Sequence, residues 1–547
     1  MPSVRAERPG AAALLGWLTD PEAPRLCLVT GGPGLLDWLA GHGPRAAGRR
    51  RTARALVPLT GRTALGTAWA VADRLGVVAT SPADLVRALA TTETGRAART
   101  VLLLPALHSA AEPEAVALLL ADLARLGRVR LVVEVRPGTP EYGTLAAAGR
   151  IAEVEGEDDE EGAGPSTASG PSAASGRSVG SGSSAAPTSS AAPAPSAASG
   201  SSAASAVDLS DPVAVCGADP VAVTTGYIRD PEPRDEHGGL RAAWLRAGQA
   251  LCAAPAPSDR ALGLLAVLGD GADPRLRPAL DELAAASPWR VRWTRVAGDI
   301  APPWPGPVAA LAAQGGTLLV ADLGGAVRLV GAADARALGR LDHPVTGRVR
   351  ALAPAPDGTV LLLDERGRLH TVPGREPRAP YLHRLTEAVA ATLSRHPGTA
   401  LAAIAGSVVV GDRLGSVHAF GLTGLHQAAL HSGRVTAVAA VESATPFVCS
   451  GGADGAVRVW TPGTDPDPAP LAERASPVVS LDAVETPYGP VLAAAWADGT
   501  VEFRRLEQAD RLVFRPGPPV RAVAVTEDGA MVLGLDEVLV RLERRGR

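Results

Sequence analysis

Apolar residues along this chain fall into three regimes. Up to about residue 152, short unbroken apolar runs alternate with longer stretches of helical spacing. Arg25–Thr30 (RLCLVT), Ala55–Leu59, Val101–Leu104 and Leu131–Val135 read as buried strands. The stretch from Leu35 onward, Ala64–Leu75 and Ala115–Leu126 read as helices, with Leu65, Trp69, Val71 and Leu75 roughly on one face of the second. Strands alternating with helices predict an α/β unit built on a parallel sheet, over residues 1–155.

The second regime is mostly helical. Between 208 and 288, Leu240, Trp244, Ala247 and Leu251 recur at helical spacing, and further helices are predicted around Leu262–Leu268 and Leu280–Leu283. A small helical domain and a spacer packed on a neighbour both fit. The echo DPVAV at 211–215 and 219–223 suggests no mechanism in sequence terms. Residues 156–207 separate the two regimes. An acidic run (EVEGEDDEE, 153–161) leads into a tract of almost pure Ser, Ala, Gly and Pro. Such a tract lacks the large apolar side chains that offset ordering entropy, so a disordered linker is expected.

From Trp289 to the end, residues 289–547, the pattern is short alternating β runs in a repeated unit. Each copy carries a small or acidic residue, a turn and an alternating strand: ADLGGAVRLV (321–330), LDERGRLHTV (363–372), GDRLGSVHAF (411–420), GADGAVRVW (452–460), WADGTVEF (496–503) and, more weakly, LGLDEVLVRL (533–542). Asp-Gly between two alternating runs is a strong hairpin signal. A Val-rich run precedes each copy: GPVAALA, GRVRALA, EAVAATL, GRVTAVA, SPVVSLD and PPVRAVA. Copies about 35–48 residues apart match the length of a four-stranded propeller blade. The unit resembles the WD-repeat family, best in Val435–Trp460, although Trp460 is followed by Thr461 and the Gly-His start is essentially absent. The resemblance implies a C-terminal all-β propeller, with six blades expected and seven the alternative. Trp289–Ala297 is expected to complete the last blade and close the ring, because an open ring would leave unpaired strand edges. Asp322, Asp364, Asp412, Asp454, Asp498 and Asp536 are read as hairpin-turn formers, and Trp460 and Trp496 as packing residues.

Thr30–Trp38 (TGGPGLLDW) follows a strand and opens a helix, the context of a phosphate-binding loop. Gly31, Gly32, Pro33 and Gly34 fit the first half of GxxxxGK[ST]. Leu36, Asp37 and Trp38 stand where Gly, Lys and Ser/Thr are needed. VLLLPALHSA (101–110) resembles the second acidic motif of STAND-type P-loop ATPases, with Pro105, His108 and Ser109 in its acidic positions. LVVEVRP (131–137) resembles a later strand of that family, ending in Arg136. The resemblance implies a degenerate STAND-type P-loop domain, a pseudo-ATPase. Without the lysine, hydroxyl and carboxylates, nothing would draw in the phosphates or orient magnesium. A helix N-terminus attracts anions, so Gly31, Gly32 and Gly34 are where any vestigial nucleotide contact would fall. No catalytic residue, cofactor or metal is expected; the ten histidines lack metal-ligand spacing, and His108 beside Ser109 pairs only by adjacency.

Composition narrows the partner. The net charge is −4 and aromatics are 3% of the 547 residues, so neither nucleic acid nor an anionic membrane is indicated. The short basic cluster Arg49, Arg50, Arg51 and Arg54 has no interleaved aromatics and reads as a solvated face. All 53 basic residues are Arg, and Asn is missing too, which reads as the codon bias of a GC-rich bacterial genome. Cys27, Cys216, Cys252 and Cys449 form no CxxC pair and read as small buried hydrophobes of a reducing, cytoplasmic protein. With no signal-peptide pattern and no long apolar run, no membrane span is expected. The expectation is a non-catalytic scaffold or regulator that docks a protein on its propeller. The alternative is a nucleotide-binding switch without efficient hydrolysis.

Overall fold

The computed structural model describes residues 9–31, 34–42, 53–91, 100–127, 129–155, 207–230, 237–297, 306–374, 380–404, 406–421, 424–508 and 510–546. The expected linker, the basic cluster Arg49–Arg51, and Gly32 and Pro33 lie outside these residues.

The first unit is a five-stranded, wholly parallel sheet. Its strands are β1 (Leu26–Thr30), β2 (Ala53–Leu56), β3 (Thr100–Leu104), β4 (Arg130–Glu134) and β5 (Ile151–Glu155), in the order β2-β3-β4-β1-β5. Side chains alternate across it, as a pleated strand requires. Cys27, Val29, Val101, Leu103 and Val132 face α1 (Pro9–Thr19) and α2 (Leu35–His42). Leu26, Leu28, Leu102, Leu104, Leu131 and Val133 face the layer of α3 (Ala64–Leu75), α4 (Pro82–Thr91), α5 (Pro113–Arg125) and α6 (Pro140–Ala146). Coverage on both faces explains the unbroken apolar strands.

The region after the linker is helical: α7 (Pro212–Gly217), α8 (Pro220–Arg229), α9 (Leu240–Ala253), α10 (Pro257–Val267) and α11 (Leu276–Leu283). The DPVAV echo has a structural meaning. Each copy starts a helix, with Asp211 or Asp219 at the N-cap and proline in the first turn, where its missing N–H costs nothing. Asp211 accepts from Val213 N and Ala214 N at 3.0 and 3.2 Å.

The rest forms six antiparallel sheets whose inner strands contact one another in a closed circle: a six-bladed β-propeller. The inner strands are Val308–Gln314, Val349–Pro354, Ala400–Ile404, Val435–Val441, Val478–Thr486 and Ala522–Val525, defining blades I to VI. Trp289–Val296 pairs with Val538–Arg544 as the outer strand of blade VI, so the two ends of the repeat region close the ring as expected. Each interface between neighbouring blades carries its own apolar cluster.

One expectation is corrected. EAVAATL (387–393) is not the inner strand of blade III. It ends a helix, α12 (Pro380–Leu393), and the inner strand is Ala400–Ile404. The run is rich in helix formers, and Leu385, Val389 and Leu393 recur every fourth residue to pack between the sheets of blades II and III. Blade II accordingly has three strands, with the helix lying against the outermost.

Candidate functional site

The hairpin turns come first, because they place the channel mouth. Gly325, Gly367, Gly415, Gly455 and Gly499 all have positive φ, which suits glycine. The turns also press on the chain leading into the next blade: a Cβ on Gly415 would stand 2.0 Å from the carbonyl oxygen of His431. In blade VI the turn residue is Glu537, which is why that copy reads weakly. Asp364 accepts from Arg366 N and Arg368 N, Asp412 from Leu414 N and Ser416 N, Asp454 from Ala456 N, and Asp498 from Thr500 N. Asp322 accepts from Ala326 N, and Asp536 meets Arg521 at 2.6 Å. The six aspartates thus serve the turns and their immediate neighbours.

Blade IV contains a constellation that was not read from sequence. His431 Nδ1 lies 3.0 Å from Asp454 Oδ1, and His431 Nε2 lies 2.9 Å from Ser450 Oγ. Burial pushes the imidazole's pKa down, against the pull of Asp454. The neutral ring donates from Nδ1 to the carboxylate and accepts the serine proton at Nε2. This has the connectivity of a nucleophilic triad, but Ser450 has no exposure, so its hydroxyl meets no substrate. It fastens the turn to the inner sheet. The available signal was His431 four residues ahead of the Val435 strand. Trp460 and Trp496 are buried as expected, with indole N–H groups donating to Thr464 O and Gly455 O, both at 3.0 Å.

The inner strands enclose a channel of about 560 Å³. They begin at the face that carries the Asp turns: Val435 N donates to Asp412 O, Ala453 N to Arg434 O and Glu365 N to Arg348 O. This end is termed the upper mouth. Blades I, II, IV and V have a register shift after the first residue of the inner strand. Such a bulge re-aims the extra side chain, and Ala309, Arg350, Thr436 and Val479 all line the channel. The opposite mouth carries Glu442, Glu485 and Glu527. Midway, Asp482 accepts from Val525 N at 2.8 Å and from Ala483 N at 3.0 Å. Desolvation pushes its carboxyl up to about 7 despite those bonds.

In the α/β unit, β1 runs into α2 on one face of the sheet while its neighbour β4 runs into α6 on the other. The crevice at the carboxyl ends of β1 and β4 is therefore a topological switch point, the usual ligand position in open α/β sheets. Gly31 and Gly34 lie there with φ of 74° and 94°. The carboxylate of Glu134, at the end of β4, accepts from Ala106 N at 3.2 Å, and Ala106 is held in the left-handed region. The only signal for Glu134 in the sequence is its place in LVVEVRP, near the end of a predicted strand. Arg136 is exposed at the strand end. His108 and Ser109 sit in a short 3₁₀ turn, Leu107–Ser109.

The α/β unit is held against the rest of the chain. Trp69 of α3 is buried in the same core as α9 and α10. Gln249 of α9 accepts from Ala79 N at 2.9 Å and donates to Val77 O at 2.8 Å. Ser476 and Arg515 of the propeller reach Gly76 O and Asp73 at 3.3 and 2.9 Å. All four cysteines are free thiols, and burial pushes Cys27, Cys216 and Cys449 up to about 12. Among the described residues, no group of three or more His, Cys, Asp or Glu could hold a metal, and no helix is long and apolar enough to cross a membrane.

The fold defines a multidomain protein, an α/β unit and a helical layer joined to a six-bladed propeller. No family model matches the chain, and no curated protein matches it. Among solved structures it is similar to the WD40 β-propeller domain of Doa1, at 14% identity and a TM-score of 0.33, over 47% of this chain and 96% of that one. It is also similar to the computationally designed Ika8 protein, at 20% identity and a TM-score of 0.29, over 43% of this chain and 70% of that one. Likenesses this slight bear on neither function nor ancestry; the propeller rests on its own strand pairing.

Proposed function

We propose that this protein is a non-catalytic, protein-binding scaffold or regulator, with the upper face of the propeller as its docking surface and the α/β unit as a degenerate P-loop domain. One observation carries the reading. The ring is closed, and its conspicuous polar groups, the Asp turns and the Ser450–His431–Asp454 set, are engaged in structure rather than offered to a substrate. What remains open is a channel mouth rimmed by loops, the kind of surface on which a scaffold receives a partner. Fold analogy alone makes the partner a protein. Cross-linking of the full chain in a lysate, followed by mass mapping of the linked peptides, tests it. Links concentrated on the turns of blades II to IV support the reading; links only on the α/β unit refute it.

A second reading is kept for one reason. Gly31 and Gly34 lie at the switch point with positive φ, ahead of the N-terminus of α2, so a nucleotide could be held there without a lysine. Titration of ATP and ADP into the full chain decides it. The isolated segment 1–155 is a poor reagent, because removing α9 exposes Trp69. Saturable micromolar binding would favour a nucleotide switch, and measurable hydrolysis would overturn the pseudo-ATPase reading.

A further inference from the structure

The upper mouth is unevenly charged, and the imbalance has a definite location. Arg350 occupies the bulge of blade II and lines the channel. Arg348 precedes the same strand, Arg434 precedes the inner strand of blade IV, and Arg413 sits in the turn of blade III between them. Burial lowers the pKa of Arg350, and so do the charges of Arg434, Arg348 and Arg413, which puts the four within electrostatic reach. No ion pair or side-chain hydrogen bond of these four guanidiniums is found among the described residues. Asp364 pulls on Arg350 electrostatically, but its hydrogen bonds go to its turn and His370; those of Asp412 go to its turn and His418, and Asp454 bonds His431. Glu365 stands exposed beside Gly347.

Elsewhere on this face the arginines are matched. Arg474 is paired with Asp498 and Arg521 with Asp536. Those pairs belong to blades V and VI, where the face is also covered: Gly517 packs on Ala247 of α9, and Gly499 on Val78. Blades II to IV are left with their arginines unmatched, while the channel's glutamates Glu442, Glu485 and Glu527 lie at the far mouth and Asp482 midway.

We propose that Arg348, Arg350, Arg413 and Arg434 form the binding site for an acidic segment of a partner polypeptide, laid across blades II to IV at the upper mouth. The inference rests on the docking role argued above and adds the chemistry of the partner. Four like charges, one of them partly desolvated, repel one another until an anion joins them. Guanidinium forks hold carboxylates in pairs of hydrogen bonds, which suits arginine to this task. Charges spread over three blades fit a run of carboxylates better than a single anionic group. Among the described residues lining the channel there is no Phe, Tyr or Trp, which argues against single-stranded nucleic acid, whose bases need stacking platforms.

The test is fluorescence anisotropy with a labelled hexaglutamate peptide, on the full chain and on a full-length variant whose acidic residues 157–161 are replaced by their amides, so that the chain offers no competing charge. Hexaglutamine and a single-stranded oligonucleotide serve as comparison probes. The expected result is saturable hexaglutamate binding that weakens with salt, no hexaglutamine binding, and weaker oligonucleotide binding. Arg350→Gln, and Arg348→Ser with Arg413→Ser and Arg434→Ser together, should each weaken it by about tenfold or more. Glu442→Gln at the far mouth should not weaken it. Circular dichroism melts confirm that the variants fold, and Arg350→Lys, which keeps the charge but not the fork, should bind more tightly than Arg350→Gln and less tightly than the parent. Hexaglutamate failing to bind, binding unchanged in the arginine variants, or an oligonucleotide binding as tightly would overturn the proposal. Partner cross-links that persist on blades II to IV in the arginine variants would sink this site while leaving the docking role intact.

Discussion

Replacing Gly248 with alanine puts a methyl group where the Trp69 ring already is. An ideal Cβ there stands 2.0 Å from Cη2, 2.3 Å from Cζ3 and 2.4 Å from Cζ2 of the indole. Ordinary carbon contacts need about 3.5–4.0 Å, so ring and helix must part by about 1.5 Å. The indole has little room to yield, being 1% exposed between α3 and α9. If it stays, overpacking costs about 1–3 kcal/mol. If it is expelled, about 200 Å² of apolar surface returns to water, about 5 kcal/mol at 25 cal/mol per Å². The cheaper response sets the loss, so about 1–3 kcal/mol is expected, with about 5 kcal/mol as the ceiling. The sign is diagnostic, because glycine to alanine inside a helix otherwise stabilises by about 1 kcal/mol. Urea unfolding measures the loss, and hydrogen exchange should show α3 and residues 77–79 losing protection while blades I to IV keep theirs. Trp69→Leu should relieve the clash, so the double variant should be about 1–3 kcal/mol better than the sum of the singles. A Gly248→Ala protein as stable as the parent, or strictly additive effects, would refute the packing argument.

Three further outcomes follow from the same geometry. Gln249→Leu leaves Ala79 N and Val77 O without their partner and should cost about 2–4 kcal/mol, with faster exchange confined first to residues 77–79. Asp454→Ala removes the contacts to His431, Ser432 N and Ala456 N and should cost a similar ~2–4 kcal/mol, read as a lower melting temperature with blade IV opening first. Asp482 supplies the pH dependence: its folded-state carboxyl is raised from 3.8 to about 7, so the folded protein holds the extra proton across that window. The associated stability is present below about pH 4 and is lost as pH rises towards 7. The stability difference between the parent and Asp482→Asn, compared by urea midpoints at about pH 5 and about pH 8, should therefore move against the parent at the higher pH; a constant difference would show that Asp482 titrates normally.

Local pattern alone was enough for four of the five strands of the parallel sheet, the helix Ala64–Leu75 to the residue, the six repeats and the strand that closes the ring; Ile151–Glu155, at the sheet edge, was not among them. These are short-range signals, carried by apolar alternation in every copy and by a positive-φ glycine turn in five of the six. EAVAATL shows where such signals give out: an apolar run of seven residues suits a strand or a helix, and only the packing of Leu385, Val389 and Leu393 between two blades chooses. The tertiary fold alone decided which charges are matched. Arg521 and Arg350 stand at similar places in the repeat, yet one is ion-paired with Asp536 and the other stands in the field of three arginines and Asp364. It also decided that His431 joins Ser450 and Asp454, and that Trp69 belongs to the helical layer rather than to its own sheet. The physical reason is range. Propensity and patterning act over a few residues, whereas burial and ion pairing depend on what the closed ring and the docked α/β unit bring from far along the chain.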